Sequence, residues 1–350
     1  MARSQPPAPD APSPPAGRPR AMQMADIARL AGVSTSTVSR ALSGSALIPE
    51  ATRLRIVELA QSMNYRINAG AAQLRRKEIQ AVGVALLGDS MQAISDPFLL
   101  SILGNVADAL DERGMSVMLT RLTQDRQHQL TDMVERRQVA GLIIIGQLTW
   151  HAHLNTLAQR GVPMVVWGAP LPDARYSVVG GDNETGGYLA TRHLVAQGCR
   201  NIAFFGDISN PEAGLRHAGH LRALHEAGLA RNPTLEQSFI FGDKRIRATI
   251  DQWLAQSLQF DAIFAASDVT AITLISALGE RGIAVPEQVK VVGYDDIVLA
   301  AHVHPSLTTI RQPTDLAGRA LVELLFESLQ GQPHRAVVLP TTLIARDSTA

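Results

Sequence analysis

Residues 24–44, MADIARLAGVSTSTVSRALSG, predict the fold of the N-terminal part of the chain. Apolar residues recur at helical spacing on both sides of Gly32, which predicts two short helices joined by a tight glycine turn. Ser34 is a good N-cap for the second helix, which is predicted over Thr35 to Leu42 with Val38 packed inward. This arrangement predicts a helix-turn-helix, although any small three-helix bundle would use the same packing residues.

A third helix is predicted to begin at Pro49, because proline favours the first helical position. Its packing stripe is expected to consist of Leu54, Val57, Leu59 and Met63. This stripe would close the small N-terminal bundle.

The outer face of the second helix predicts contact with DNA. Its residues are short hydroxyls and one arginine: Thr35, Ser36, Thr37, Ser39 and Arg40. A helix that only needed solubility would carry better helix formers such as Glu, Lys and Ala. Hydroxyls reach phosphates and base edges, and an arginine can pair with two acceptors of guanine.

The charge distribution points the same way. The chain has no net charge, but residues 24–77 carry +5 and residues 78–350 carry −7. A basic segment on an acidic remainder favours a polyanionic partner, with a merely solvated charged face as the alternative. The hydrophobic content of 46% and charged content of 18% are ordinary for a soluble globular protein.

Residues 1–23 hold seven of the 19 prolines and few large apolar residues, so they are predicted to form a disordered tail. No apolar segment typical of a secretion signal or a membrane span follows. We therefore expect a cytoplasmic protein without membrane contact. The single cysteine, Cys199, excludes an intramolecular disulfide framework and a multi-cysteine zinc site.

From residue 81 onward, short apolar runs alternate with amphipathic stretches such as 99–114 and 187–198. The runs are predicted to be buried strands: AVGVALL (81–87), MSVML (115–119), AGLIIIG (140–146), VPMVVW (162–167), IAFFG (202–206), DAIFAA (261–266) and VKVVGYD (289–295). This alternation is typical of doubly wound parallel α/β sheets. The strands are too many for one such unit, so two units with a cleft between them are predicted. Ligands of open α/β sheets bind beyond the carboxyl ends of the strands.

The N-terminal stretches resemble the LacI/GalR family of bacterial repressors. The resemblance runs through residues 24–44, IPEATRLRIVELAQSMNY at 48–65 and NAGAAQLRR at 68–76. In that family, the start of the second helix reads bases in the major groove. The resemblance therefore implies that Thr35, Ser36 and Arg40 read bases, and that Ser34, Thr37 and Ser39 contact phosphates.

The resemblance also implies a hinge over residues 68–78 that becomes helical when two copies meet on DNA. Ala71 and Leu74 are the expected minor-groove residues, with Leu74 wedged between base steps. An ordinary apolar linker residue is the alternative for Leu74. Ile67 and Ala72 depart from the family pattern, so the hinge is expected to be entered less rigidly and to contact fewer phosphates.

The remainder of the chain resembles the same family and, through it, periplasmic sugar-binding proteins. The motifs that carry this resemblance are DPF (96–98), GDN (181–183), LRHAG (215–219), ASD (266–268), VVGYDD (291–296) and PSLTTIRQP (305–313). They imply an effector site in the cleft, for a sugar or sugar derivative. The implied site residues are Phe98, Trp167, Asp182, Arg216, Ser267 and Asp295.

The implied roles differ among these residues. Arg216 is expected to grip either sugar hydroxyls or an effector carboxylate, and Asp295 to accept hydroxyl hydrogen bonds. Phe98 would lie against the ligand. Trp167 precedes Gly168, where relatives often have aspartate, so it either faces the sugar or packs in the core. Asp182 and Asp268 are ligand contacts or loop caps, and the structural role is favoured for Asp268. Ser267 stands where several relatives have asparagine.

The domain prediction is a tail over 1–23, a helix-turn-helix over 24–67, the hinge, and a two-lobed effector and dimerisation region over 79–350.

No phosphate loop, dinucleotide fingerprint or nucleophile elbow occurs, so neither an enzyme nor a cofactor is expected. The histidine pairs are expected to be loop residues (151/153, 302/304) or surface residues (217/220) rather than metal ligands. The predicted partners are a near-palindromic operator, a small effector and a second copy. A transport solute-binding protein, an α/β enzyme with a DNA-binding appendage and an architectural DNA-binding protein are the rival classes.

Overall fold

The computed structural model describes residues 23–42, 45, 47–63, 79–87, 95–123, 128–147, 150–239 and 245–350. The chain divides into two compact units, Met1–Glu78 and Ile79–Ala350, which we call the head and the body. The predicted tail up to residue 22 and the predicted hinge, with Ala71 and Leu74, lie outside the described residues.

The described part of the head contains three helices: α1 (Met24–Ala31), α2 (Thr35–Leu42) and α3 (Glu50–Ser62). Ile27, Val38 and Ile56, one from each helix, are fully buried at the centre of this bundle. Gly32 ends α1 with a φ of 65°, in the left-handed region that favours glycine. The predicted helix-turn-helix and the predicted bounds of α2 are therefore confirmed.

The predicted start of α3 is wrong, because Pro49 is the N-cap and the first helical residue is Glu50. The predicted packing stripe is only partly right. Leu59 packs against the apolar cluster of the head, but the buried positions are Ile56 and Ala60, and Leu54 is 53% exposed. Apolar residues occur on several sides of α3, so the sequence pattern alone does not orient this helix.

The body consists of two lobes. The N-lobe sheet has the strand order β11-β5-β4-β3-β1-β2, with every described pair parallel. Its strands, numbered along the chain, are β1 (Ala81–Leu87), β2 (Ser116–Leu122), β3 (Leu142–Ile145), β4 (Met164–Trp167), β5 (Ser177–Gly181) and β11 (Ala336–Leu339). Its helices are α4 (Pro97–Asp111), α5 (His128–Glu135), α6 (His151–Gln159) and α11 (Thr314–Leu329).

The C-lobe sheet has the order β12-β10-β9-β8-β6-β7, in which only the described β10–β12 pair is antiparallel. Its strands are β6 (Ile202–Phe205), β7 (Glu236–Gln237), β8 (Ala262–Ala265), β9 (Lys290–Asp295), β10 (Thr308–Arg311) and β12 (Thr342–Ile344). Its helices are α7 (Asn183–Ala196), α8 (Pro211–Glu226), α9 (Ile246–Ala255) and α10 (Asp268–Gly279). The prediction of two α/β units with parallel sheets is confirmed.

The chain passes between the lobes after β5, after β10 and after β11. The three crossings lie close together. The Asp182 N–H donates to the Leu339 carbonyl at 2.8 Å, and the Thr341 hydroxyl donates to the Asp182 carbonyl at 3.1 Å. A Cβ at Gly181 would lie 2.6 Å from Oε1 of Gln312, so a glycine is needed for the first and second crossings to approach each other.

The strand predictions succeed for seven strands and fail in two respects. MSVML was expected to be a buried strand, but β2 lies at the edge of its sheet and exposes Met118 and Leu119 by 38% and 46%. The short strands β5, β7, β10, β11 and β12 were not predicted. Strands β7, β11 and β12 are short and partly exposed, whereas β5 and β10 are largely buried but contain glycine or threonine residues in place of a long apolar run.

Candidate functional site

The first candidate site is the outer face of α2. Thr35, Ser36 and Arg40 are exposed, and Thr37 and Ser39 are partly exposed, while Val38 and Ala41 turn inward. The five residues predicted to touch DNA within this helix therefore lie on its accessible side. Ser36 and Arg40 are one helical turn apart and share a face.

The start of α2 is held by hydroxyl groups. Oγ of Ser34 accepts a hydrogen bond from the Thr37 N–H at 3.1 Å, which is the predicted N-cap. The same hydroxyl lies 2.7 Å from Oγ of Ser36 and 2.9 Å from Oγ1 of Thr37. Arg55 of α3 donates from Nη2 to the Ala31 carbonyl at 2.7 Å, which fixes the end of α1 next to the turn. The helix that is predicted to meet DNA is thus anchored at its beginning.

The second candidate site lies between the lobes of the body. A cavity of about 280 Å³ is bounded by the start of α4, the segment after β9, and the crossing from β10 to α11. Phe98 and Asp295, two of the residues expected from the sequence to bind the effector, line this cavity together with Gln312 and Thr314. Trp167, Asp182, Arg216 and Ser267 do not line it directly. Their side chains instead contact the residues around the cavity.

Arg216 of α8 is the central polar side chain. It is 9% exposed, its Nε donates to Oδ1 of Asn183 at 2.8 Å, and its Nη1 donates to the Ala266 carbonyl at 2.5 Å. Its guanidinium lies over the ring of Tyr294, 3.7 Å from the centroid. These contacts fix the plane of the guanidinium and leave further N–H groups able to donate to a ligand.

Asp295 ends β9 and faces this guanidinium, with Oδ1 4.0 Å from Nη1 of Arg216. The same oxygen accepts a hydrogen bond from Nε2 of Gln312 at 2.8 Å. Burial raises the pKa of Asp295 well above the usual range of a carboxyl, against the opposing effect of Arg216. The cleft therefore holds a buried donor and a buried acceptor side by side.

The backbone at Asp295 is strained. Asp295 and Asp296 have φ values of 118° and 57°, both in the region that favours glycine. The Asp296 carboxylate accepts hydrogen bonds from Nε of Arg311 and Nη2 of Arg346, each at 2.6 Å, which holds this turn in place. Such strain is typical of functional sites, and the residue that carries it here faces Arg216.

Aromatic side chains form the N-lobe wall. The rings of Phe98 and Trp167 lie 6.0 Å apart in a tilted arrangement, and both side chains are more than 90% buried. Trp167 packs in the same apolar cluster as Phe98, so its flat face is largely covered. At the next residue, a Cβ on Gly168 would lie 3.0 Å from Oε1 of Gln147, so the Gln147 side chain fills the space beside Gly168. Gln147 in turn donates to the hydroxyl of Tyr176 at 2.7 Å.

The remaining predicted site residues have capping contacts. Asp182 caps α7 through the Thr185 N–H at 3.0 Å, and Ser267 caps α10 through the Thr270 N–H at 3.3 Å. Asp268 is fully buried and accepts hydrogen bonds from the Thr309 hydroxyl and the Ile297 N–H. Burial raises the pKa of Asp268 to about 7. These contacts hold the chain at the carboxyl ends of β5, β8 and β9.

The histidine predictions need correction. His217 and His220, expected at the surface, are 8% and 1% exposed on the inner side of α8. His220 bonds with Thr191 at 2.9 Å, because α8 packs face to face on α7. His151 belongs to the first turn of α6 rather than to a loop, and its Nδ1 lies 2.7 Å from the Tyr176 hydroxyl. Within the described residues, no cluster of His, Cys, Asp and Glu has the arrangement of a metal site.

Four residues that line the cavity or interact with Arg216 were not predicted as site residues: Asp96, Asn183, Glu212 and Gln312. Three of them lie within the motifs at 96–98, 181–183 and 305–313, so these motifs could have identified them. Glu212 precedes Arg216 by one helical turn on α8. In a sequence, a glutamate and an arginine at that spacing usually indicate a surface ion pair, so nothing pointed to a role at the site.

The sequence matches two families. Residues 23–68 match the family of bacterial regulatory proteins, lacI family, and residues 191–349 match the periplasmic binding protein-like domain. Among curated relatives, the HTH-type transcriptional regulator CelR of Thermobifida fusca is 33% identical over 328 residues, covering 92% of this chain and 96% of CelR. The HTH-type transcriptional repressor PurR of Histophilus somni is 29% identical over 332 residues, covering 92% and 97%.

Solved structures agree with these matches. A complex of CelR with cellobiose has a TM-score of 0.71 at 30% identity, covering 95% of this chain and 100% of that one. The lac repressor dimer bound to operator and the anti-inducer ONPF has a TM-score of 0.83 at 26% identity, covering 94% and 99%. No described helix of the present chain is long and apolar enough to cross a membrane. The helix-turn-helix head, the two-lobed body and these relatives together show that the chain belongs to the LacI family of bacterial transcription regulators.

Proposed function

We propose that this chain is a homodimeric repressor that binds a near-palindromic operator through its heads and responds to a sugar in the inter-lobe cleft. The observation that carries the sugar proposal is the pair of Arg216 and Asp295, 4.0 Å apart beside the cavity. Each buried sugar hydroxyl needs both a donor and an acceptor, and this pair offers both. Phe98 adds an apolar face against which the C–H groups of a sugar ring can pack.

The relatives support the same ligand class. The solved CelR complex contains cellobiose, and CelR is the relative that is 33% identical to this chain. A cavity of about 280 Å³ is of the size that small molecules occupy. A planar nucleobase stacked on Phe98 is the competing ligand, and the experiment below includes it.

For DNA, we propose that Thr35, Ser36 and Arg40 read base edges, while Ser34, Thr37 and Ser39 contact phosphates. Their support is the exposure of this face of α2 and the lac repressor dimer described in complex with operator. Two heads related by a twofold axis require an operator with matching half-sites. We also propose that residues 68–78 act as the hinge that joins each head to its body.

The second copy would cover apolar surface on the N-lobe. Met118 and Leu119 are exposed on the edge strand β2, and Leu100 is 45% exposed on α4, which packs beside that strand. An open strand edge with exposed apolar side chains invites pairing with another chain. This surface supports dimer formation through the N-lobes.

The test measures operator binding by fluorescence anisotropy, using DNA from upstream of the gene, with cellobiose, other neutral sugars and purine bases added in turn. The variant Arg216→Ala should retain operator binding and lose the response to the effective sugar. Arg222→Ala is the matched control, because Arg222 lies on the same helix but is exposed and pairs with Glu184. Thermal unfolding of both variants checks that the C-lobe is folded.

A response to one sugar that disappears only in Arg216→Ala supports the proposal, and its direction identifies an inducer or a corepressor. A response to a purine and to no sugar would contradict the sugar assignment. A sugar response that survives in a folded Arg216→Ala variant would place the site elsewhere.

A further inference from the structure

The chain that presents Asp295 to the cleft is held from behind by the carboxylate of Asp268. Asp268 is fully buried at the start of α10 and does not line the cavity. Its Oδ2 accepts a hydrogen bond from the Ile297 N–H at 2.9 Å, and its Oδ1 accepts from the Thr309 hydroxyl at 2.5 Å. One carboxylate therefore connects α10 to the segment after β9 and to β10.

The same carboxylate lies directly against β9. In the parallel pairing of β9 with β10, Gly293 is the partner of Thr309. A Cβ at Gly293 would collide with Oδ1 of Asp268, so a side chain at this position is incompatible with the place of the carboxylate. Asp268 thus contacts the chain two residues before Asp295 and, at Ile297, two residues after it.

These two contacts enclose the strained turn. Asp295 and Asp296 have φ values of 118° and 57°, which residues other than glycine keep only where the surrounding structure imposes them. Arg311 and Arg346 hold the side chain of Asp296, whereas Asp268 holds the backbone that follows it. Loss of Asp268 should therefore let the turn relax and move Asp295 from its position in the cleft.

The start of α10 does not depend on the Asp268 carboxylate. Ser267 is the N-cap, and its hydroxyl accepts a hydrogen bond from the Thr270 N–H at 3.3 Å. The hydrogen bonds of Asp268 lead out of α10 instead, to Ile297 and Thr309. Capping of α10 thus does not explain why a carboxyl group is buried here, where its desolvation is unfavourable.

We propose that Asp268 is a positioning residue for effector binding, which keeps Asp295 in the strained conformation that faces Arg216 without touching the effector itself. This inference rests on the proposed sugar response and adds to it a residue outside the cavity. A protein binds its ligand less tightly when only a fraction of the molecules has the competent conformation. Asp268 would raise that fraction before the effector arrives.

The test measures the affinity of the full chain for cellobiose, glucose and ribose by isothermal titration calorimetry. For a sugar that binds, Asp268→Ala should weaken binding by about 10-fold to 100-fold, because the hydrogen bonds that hold the turn are lost. Asp268→Asn should stay within about threefold of the wild type, because an amide can accept from the Ile297 N–H and donate to the Thr309 hydroxyl. The affinity for operator without sugar, measured by fluorescence anisotropy, should be unchanged in both variants.

A double variant separates positioning from a general loss of stability. If Asp268 acts through Asp295, adding Asp268→Ala to Asp295→Ala should change the sugar affinity by less than about threefold, because no carboxylate remains to be positioned. Asp261→Ala is the matched control. Asp261 also accepts from two backbone N–H groups of the C-lobe, those of Arg200 and Asn201, but at the amino ends of β6 and β8. This control should lower the Tm and leave the sugar affinity unchanged.

Thr309→Val is the milder variant, which keeps the inference testable if Asp268→Ala does not fold. Valine has nearly the shape of threonine but lacks the hydroxyl that donates to Oδ1 of Asp268. This variant should weaken sugar binding by about threefold to tenfold.

The outcomes distinguish the inference from the function on which it rests. A folded Asp268→Ala or Thr309→Val variant with the sugar affinity of the wild type overturns the inference and leaves a sugar-responsive repressor intact. Full additivity of Asp268→Ala and Asp295→Ala, or an equal loss of affinity in Asp261→Ala, overturns it as well. Absence of binding by every sugar in the wild type overturns the proposed function itself, and the inference with it.

Discussion

His220 makes the stability of the body sensitive to mild acid. The imidazole is 1% exposed on α8, packs beside the rings of Phe204 and Phe264, and bonds through Nδ1 with Oγ1 of Thr191 at 2.9 Å. Burial, followed by the neighbouring His217, lowers the pKa of His220 from 6.5 to about 3. The folded protein therefore keeps this ring neutral at pH 5, whereas the unfolded chain protonates it.

The sign of the effect follows from the direction of the shift. A base whose pKa is lower in the folded state costs stability as pH falls through the unfolded value of 6.5, because only the unfolded state takes up the proton. At pH 5, about 1.5 pH units below the unfolded pKa, protonation of His220 stabilises the unfolded chain by about 2 kcal/mol relative to pH 8. Asp268 acts in the opposite direction, because its raised pKa of about 7 makes the folded state the better proton binder as pH falls through 7.

The contribution of His220 is isolated by comparing variants. His220→Asn removes the titrating ring and keeps an amide that can bond to Thr191. The free energy of unfolding, measured by urea denaturation from pH 8 to pH 5, should fall by about 2 kcal/mol more in the wild type than in this variant. His225→Asn is the control, because His225 is exposed on the same helix. Parallel pH dependences for the wild type and His220→Asn, whatever their absolute stabilities, would show that His220 does not cause the loss of stability in acid.

Three further changes have defined outcomes. Arg40→Ala should weaken operator binding by about 1–3 kcal/mol and relax specificity at one base pair, as measured on a panel of operator variants. Equal weakening on all sequences would instead make Arg40 a phosphate contact. Asp182→Ala removes the cap of α7 and should lower the free energy of unfolding by about 1 kcal/mol, and an unchanged urea midpoint would contradict this role. Gly187→Ala would press a Cβ against the main-chain oxygen of Arg216 and should cost roughly 1–3 kcal/mol, and wild-type stability would show that α7 and α8 can move apart.

The head was predictable because its structure is local. Gly32, Ser34 and Val38 act on neighbours within a few residues, so turn, cap and packing position could be inferred from spacing alone. The orientation of α3 was not predictable in this way. Ile56 and Ala60 pack against α1, and Arg55 adds a hydrogen bond to the Ala31 carbonyl, a contact that spans 24 residues of sequence.

The sequence predicted some residues of the candidate cleft but not their surroundings. Phe98, Arg216 and Asp295 were predicted from motifs, but the motifs do not reveal what each side chain faces. Asp96 and Arg216 lie 120 positions apart in the sequence, and only the packing of two lobes brings their charges together.

Short-range periodicity and motifs were enough to predict the helix-turn-helix, the alternation of strands and helices, and the family. Only the packing of the folded chain shows that His217 and His220 are buried, that β2 is an exposed edge, and that Asp295 faces Arg216. Burial and electrostatic environment are sums over all neighbours in space, and the chain order does not list those neighbours.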